Sequence, residues 1–119
     1  MGNIANVLNK KVLEQFTGTE AYHKYWCGNL ELTDGVDYLQ KNGCGWLIDA
    51  IASYQKMLAN QGVNWQAWYL ERKSDGSAVL KCTDGNDNRY IRQKFDWTDC
   101  PVDLTLYCID GVLLLSSEY

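Results

Sequence analysis

One histidine, His23, stands in the whole chain, and that scarcity removes multi-histidine metal sites. It leaves a single side chain whose unperturbed pKa suits acid–base chemistry near neutrality. The five cysteines, Cys27, Cys44, Cys82, Cys100 and Cys108, form no CxxC pair. The paired spacing of structural zinc modules is therefore missing, and neither a metal nor a cofactor is expected. Their odd number, with no apolar leader at the start, points to reduced thiols in a cytoplasmic protein. No apolar run approaches the length of a membrane span. Basic charge is scarce too: 11 Lys and Arg against 15 Asp and Glu give a net charge of −4. That balance argues against general nucleic-acid binding, which rests on neutralising phosphates. It suits a basic protein partner, such as a host protein. The only proline is Pro101, and no Gly/Ser-rich stretch divides the chain. At 119 residues the chain reads as one domain, able to bury a core unaided by disulfides or metal.

Aromatics are abundant instead. Five Trp and eight Tyr imply an aromatic-rich core or an exposed aromatic binding surface. Leu47, Ile51, Tyr54 and Leu58 recur at helical spacing, with Asn60 to Gly62 as the stop. Upstream, Thr33 or Asp34 caps a short helix through Val36, Tyr38 and Leu39, and Gly43-Cys44-Gly45 breaks it from the longer one. Residues 3 to 15 read as a further helix, with Asn3 as its cap and Ile4, Val7, Leu8 and Val12 on one face. Leu30 and Leu32 give at most a short strand, and residues 21 to 27, holding Tyr22, His23, Tyr25 and Trp26, are aromatic and ambiguous in type.

After Gly62 the period changes to two. Trp65, Ala67 and Tyr69 face one way, and Gln66, Trp68, Leu70 and Arg72 the other. Asp75-Gly76 and Asp110-Gly111 are tight-turn signals, and residues 84 to 88 form a further turn. The expected architecture is α+β: N-terminal helices on one face of a C-terminal antiparallel meander of four to five strands. The run Leu113-Leu114-Leu115 reads two ways, as an edge strand that pairs with a second subunit in a homodimer or as a strand buried on both faces.

Three stretches carry a resemblance. They are Phe16-Thr17-Gly18-Thr19, then Thr33-Asp34-Gly35-Val36 through Tyr38-Leu39 to Trp46-Leu47-Ile48-Asp49-Ala50-Ile51-Ala52, and the ending Asp110 to Tyr119. Together they resemble a family of small, uncharacterised bacterial and mobile-element proteins with an FTG start, a TDGV…YL…WL.D.IA centre and an LPSEY ending. Ser116 stands where that pattern has proline, and Cys100 precedes Pro101 where an aromatic is usual. The resemblance implies a single intracellular domain and brings no mechanism with it.

Candidate chemistry is sparse. Cys44, between two glycines and just before a helix, is the best-placed nucleophile, with His23 the base to activate it. Burial as a small packed thiol is the commoner fate of such a cysteine. Asp34 with Asp49 could form a carboxylate pair. A helix cap and a solvated helix face explain the two better. Trp65, Trp68, Tyr90, Arg72 and Arg92 are the candidate binding residues, since basic side chains among aromatics on a sheet can hold extended ligands. Residues 71 to 96 hold six basic and five acidic side chains, so nucleic acid is not the expected partner. The expected function is non-enzymatic binding to a protein partner, an anti-defence inhibitor of the anti-CRISPR sort being one form. The alternative is a small thiol-dependent enzyme using Cys44 and His23. A small-ligand module, with an apolar pocket at Trp46 or Trp65, is a third reading.

Overall fold

The alternating segments after Gly62 become five strands: β3 (Trp65–Arg72), β4 (Ala78–Thr83), β5 (Arg89–Phe95), β6 (Leu104–Ile109) and β7 (Val112–Leu115). These come from a computed structural model that describes residues 9–86, 88–98 and 100–119. Two very short strands, β1 (His23–Lys24) and β2 (Glu31–Leu32), precede them. The sheet has seven strands in the order β1-β2-β7-β6-β3-β4-β5.

The mixed α+β class stands, but the expected meander of four to five strands does not. β3, β4 and β5 run as a three-stranded meander on one flank, while β1-β2 and β6-β7 are separate consecutive pairs. From β5 the chain crosses back, and β6 pairs with β3, placing Trp68 opposite Leu106. β7 then pairs with β6 on one side and, in parallel, with β2 on the other. That interior place explains the Leu113 to Leu115 run. Leu113 and Leu115 face the core, and no edge remains at β7 for a second subunit. The helices are not strictly N-terminal either, since most of them lie between β2 and β3.

Among the described residues the α-helices are four: α1 (Lys10–Leu13), α2 (Asp34–Leu39), α3 (Gly45–Ser53) and α4 (Gln55–Asn60). The expected helix over 3 to 15 is described only as α1, capped by Asn9, whose side chain accepts the Val12 N–H at 2.9 Å. Asn3, Ile4, Val7 and Leu8 lie outside the described residues. Thr33 is the N-cap of α2, as its side-chain oxygen suggests. The chain leaves helical geometry at Asn42 and Gly43, the latter at φ 100°, where a glycine is at ease. α3 and α4 follow, bent at Tyr54. Leu47, Ile51 and Leu58 are wholly buried, each worth about 1.5–3 kcal/mol against exposure.

These helices cover one face of the sheet. Tyr54 lies on Trp68, Trp46 on Phe95, and Gln55 on Gln66. The core gathers there around Trp68, Leu70, Leu80, Leu106 and Leu113. The other face alternates with it and is half-exposed along β3, β6 and β7.

Candidate functional site

Strand parity sorts the sequence-named binding residues into two groups. Trp65 and Arg92 share the face that carries no helix among the described residues, while Tyr90 sits at the bulge between the Thr83–Arg89 and Cys82–Ile91 pairs, partly buried against the core. Trp68 does not join them: it is 1% exposed in the core, with its indole N–H donated to Gln66 Oε1 at 2.8 Å. A tryptophan so enclosed has no surface to offer a partner. Arg72 is on the core parity too, at the end of β3, where it reaches the Asp103 carboxylate (3.7 Å) and the Cys100 carbonyl (3.3 Å).

On the open face a row of rings crosses the strands. Trp65 lies 5.4 Å from Tyr107, and Tyr107 lies 4.9 Å from Tyr119 (centroid distances). Trp65 also presses on the Gly85 backbone, where a Cβ would come within 2.8 Å of its ring. Neither Tyr107 nor Tyr119 is a candidate binding residue from sequence, because only the sheet order brings β6 and residue 119 beside Trp65. The alternation within 104 to 109 was the available signal for Tyr107.

Beside the rings runs a basic flank. Arg92 is opposite Lys81, and Lys94 opposite Val79. Lys81 turns to Glu71 at 2.6 Å, and that bond holds the Glu71 carboxyl below its usual range. Asp75 and Asp84 serve their own turns, bonding Ser77 in one case and Asn86 and Asn88 in the other, and both titrate low for that reason. Among the described residues Arg89, Arg92 and Lys94 make no ion pair. At the end of β5, Trp97 is 69% exposed.

The structure does not assemble the thiol pair. Cys44 is 1% exposed, with Sγ 3.8 Å from Cys100 Sγ. His23 instead meets Asp34 at 2.8 Å, at the start of α2, while Cys44 lies beyond that helix's end. The two carboxylates are also apart in role. Asp34 accepts the Glu20 N–H (3.0 Å) and then His23, which together hold its carboxyl below the usual range. Asp49 accepts the Tyr25 hydroxyl and the Trp26 indole N–H, so it is an anchor for the chain before β2 as well as a solvated helix residue. Burial, with that bond to Asp49, pushes the Tyr25 phenol up to about 12. Among the described residues no cluster of three or more His, Cys, Asp or Glu could hold a metal ion. No described helix is long and apolar enough to cross a membrane.

A cleft of about 500 Å³ opens between α4 and the end of the sheet. Its floor is Gln55 and Gln66, and its rim includes Asn29, Asn60, Asn64 and Asp110. It holds neither Trp46 nor Trp65; a second, more open cleft of about 480 Å³ does include Trp65, beside Tyr90, and mixes those rings with Gln61, Asn64 and Asp84.

The family model described as a family of unknown function (DUF6876) matches residues 8–119. No curated protein and no solved structure matches the chain.

Proposed function

We propose that this chain, which belongs to the DUF6876 family of unknown function, is a non-enzymatic binding protein whose open sheet face docks a protein partner. The observation that carries this reading is the ring row Trp65, Tyr107 and Tyr119 on a face with no helix over it among the described residues. Protein interfaces are enriched in Tyr, Trp and Arg, and their binding energy concentrates in such anchors. Trp65 and Tyr107, half-buried on their own sheet, are already ordered, so little entropy is lost when a partner covers them, while Tyr119 stays largely exposed.

The charge on this face refines the partner. The whole chain is acidic, which suits a basic protein surface. Along β5, however, Arg89, Arg92 and Lys94 make no ion pair among the described residues, Lys94 acting only as a nearby charge on the Asp75 carboxyl, so the contact beside that strand is with acidic groups. Covering a host protein and thereby inhibiting it is one form this binding can take.

The test compares wild type with Trp65→Ala/Tyr107→Ala as bait in a bacterial host lysate. A partner identified by mass spectrometry with wild type and lost with the double variant supports the reading. No partner, or one retained by the double variant, overturns it.

A further inference from the structure

We propose that the free edge of β5 is a docking strand for an acidic, extended segment of a partner protein, which adds to the sheet as an eighth strand. This rests on reading the chain as a binding protein, and it names how the partner is held.

Three observations converge on Arg89–Phe95. First, β5 ends the strand order, and among the described residues nothing pairs with its far side. Alternate residues of an antiparallel strand direct both N–H and C=O away from the neighbour they are not bonded to. Seven residues span roughly 23 Å, long enough for a specific added strand. Second, Arg92 and Lys94 project on the open face two residues apart, and neither has an ion-pair partner among the described residues. An added strand places acidic side chains opposite both if it carries them at alternate positions. Third, the core side of the edge carries Ile91 and Phe95 on either side of Gln93, whose Oε1 accepts the Tyr54 hydroxyl at 2.6 Å. Phe95 is half-buried against Trp46, at 5.2 Å and edge to face, and Trp97 beyond it is 69% exposed. The intervening residues of an alternating segment would rest on this shelf.

Charge decides between occupants. A second copy of β5 would set Arg92 opposite Lys94 when added antiparallel about Gln93, and each cation opposite itself when added parallel in register, and like charges directly opposite are destabilising. A single-stranded nucleic acid matches the cations but not the row of backbone donors and acceptors. An acidic, alternating peptide matches all three features, in the manner of strand addition to a sheet edge.

The experiment uses fluorescence anisotropy with a labelled seven-residue peptide alternating Glu and Val. Saturable binding is expected. It should weaken tenfold or more in Arg92→Glu/Lys94→Glu, and return when the peptide carries Lys in place of Glu. Methylating alternate backbone nitrogens of the peptide should abolish binding with its charge unchanged. Both substitutions lie on the open face, and far-UV circular dichroism verifies that the variant is folded. No saturable binding overturns the inference. So does equal binding of the methylated peptide, or of one with its Glu and Val residues in separate blocks. Binding of a single-stranded oligonucleotide through Arg92 and Lys94, with none of the peptide, overturns it as well. The Trp65→Ala/Tyr107→Ala comparison is read independently, so the broader binding function can stand where this edge fails.

Discussion

Glu118, one residue from the end of the chain, closes the N-terminus of α2 by accepting the backbone N–H of Gly35 at 3.1 Å. The same carboxylate takes the Thr33 hydroxyl at 2.6 Å and the Leu115 N–H at 3.0 Å. A Cβ on Gly35 would sit 2.5 Å from Leu115 Cδ1 and 2.6 Å from Glu118 Oε1. Glycine is needed there for space. Thr19 joins the same lock, since its hydroxyl accepts the Asp34 N–H at 2.9 Å. The three stretches that carry the family resemblance thus meet at one helix end, which gives them a structural reason.

Gly35→Ala and Glu118→Ala should each destabilise the fold by about 1–3 kcal/mol, the usual cost of losing bonds to a charged, partly buried group. Their effects should combine to less than the sum, because the added methyl displaces the carboxylate that the second change removes. Urea unfolding of the two single variants and the double measures this. An additive double variant would show that the clash and the carboxylate act separately.

The Asp34 carboxyl sets an acid limit. Its folded pKa lies below the ordinary value, first through the Glu20 N–H and then through His23. Its contribution is therefore present above about pH 4 and lost as pH falls towards the folded pKa. Asp34→Asn should flatten the thermal stability profile in that acid window and lower stability at neutral pH. His23→Ala should reproduce only part of the change, because the backbone bond is the larger cause. Melting curves across the acid range test both.

How much of this was legible in the sequence follows from what periodicity encodes. Leu47, Ile51 and Leu58 announced a buried helix face because spacing alone decides it. Asp75-Gly76 and Asp110-Gly111 announced their turns through backbone angles that few residues tolerate, Asp110 itself sitting at φ 50°. Parity also separated Trp65 from Trp68. Which of them faced the helices was not legible, because each face of that strand carries a tryptophan and alternation has no sign. Strand order was hidden for a related reason. Period two tells which side a residue faces, and nothing about whether β6 pairs with β5 or crosses to β3. β1 and β2, at two residues each, leave no alternation to read.

Thiol chemistry should be quiet. Cys44, Cys82, Cys100 and Cys108 are buried, and Cys27 alone is partly exposed. Burial pushes the Cys82 and Cys108 thiols up to about 12, so neither offers thiolate near neutrality. Native alkylation with iodoacetamide at pH 7, resolved by mass spectrometry, should label Cys27 first and leave Cys44 unmodified until the protein unfolds. Rapid labelling of Cys44 below pH 7 would restore the thiol-enzyme reading.

The cleft floor makes a final, quantitative demand on the core. Gln55 and Gln66 exchange amide bonds at 2.9 and 3.0 Å, Gln55 also donates to the Ile51 carbonyl, and Gln66 accepts from Trp68. Both amides are under a tenth exposed, so each lost partner strands a group away from water. Gln66→Leu should therefore cost about 2–4 kcal/mol, since it orphans half of Gln55 and the Trp68 indole N–H together. Adding Gln55→Leu should recover part of that loss, because an apolar pair of similar shape has no amide left to satisfy. The residue of the loss belongs to Trp68, and Trp68→Phe in the double background should recover it, less a small packing cost. Chemical denaturation of the single, double and triple variants reads the sequence of losses and recoveries. A triple variant no more stable than the single one would mean that the amides hold α4 on β3 by shape, and that hydrogen bonding is not what they contribute.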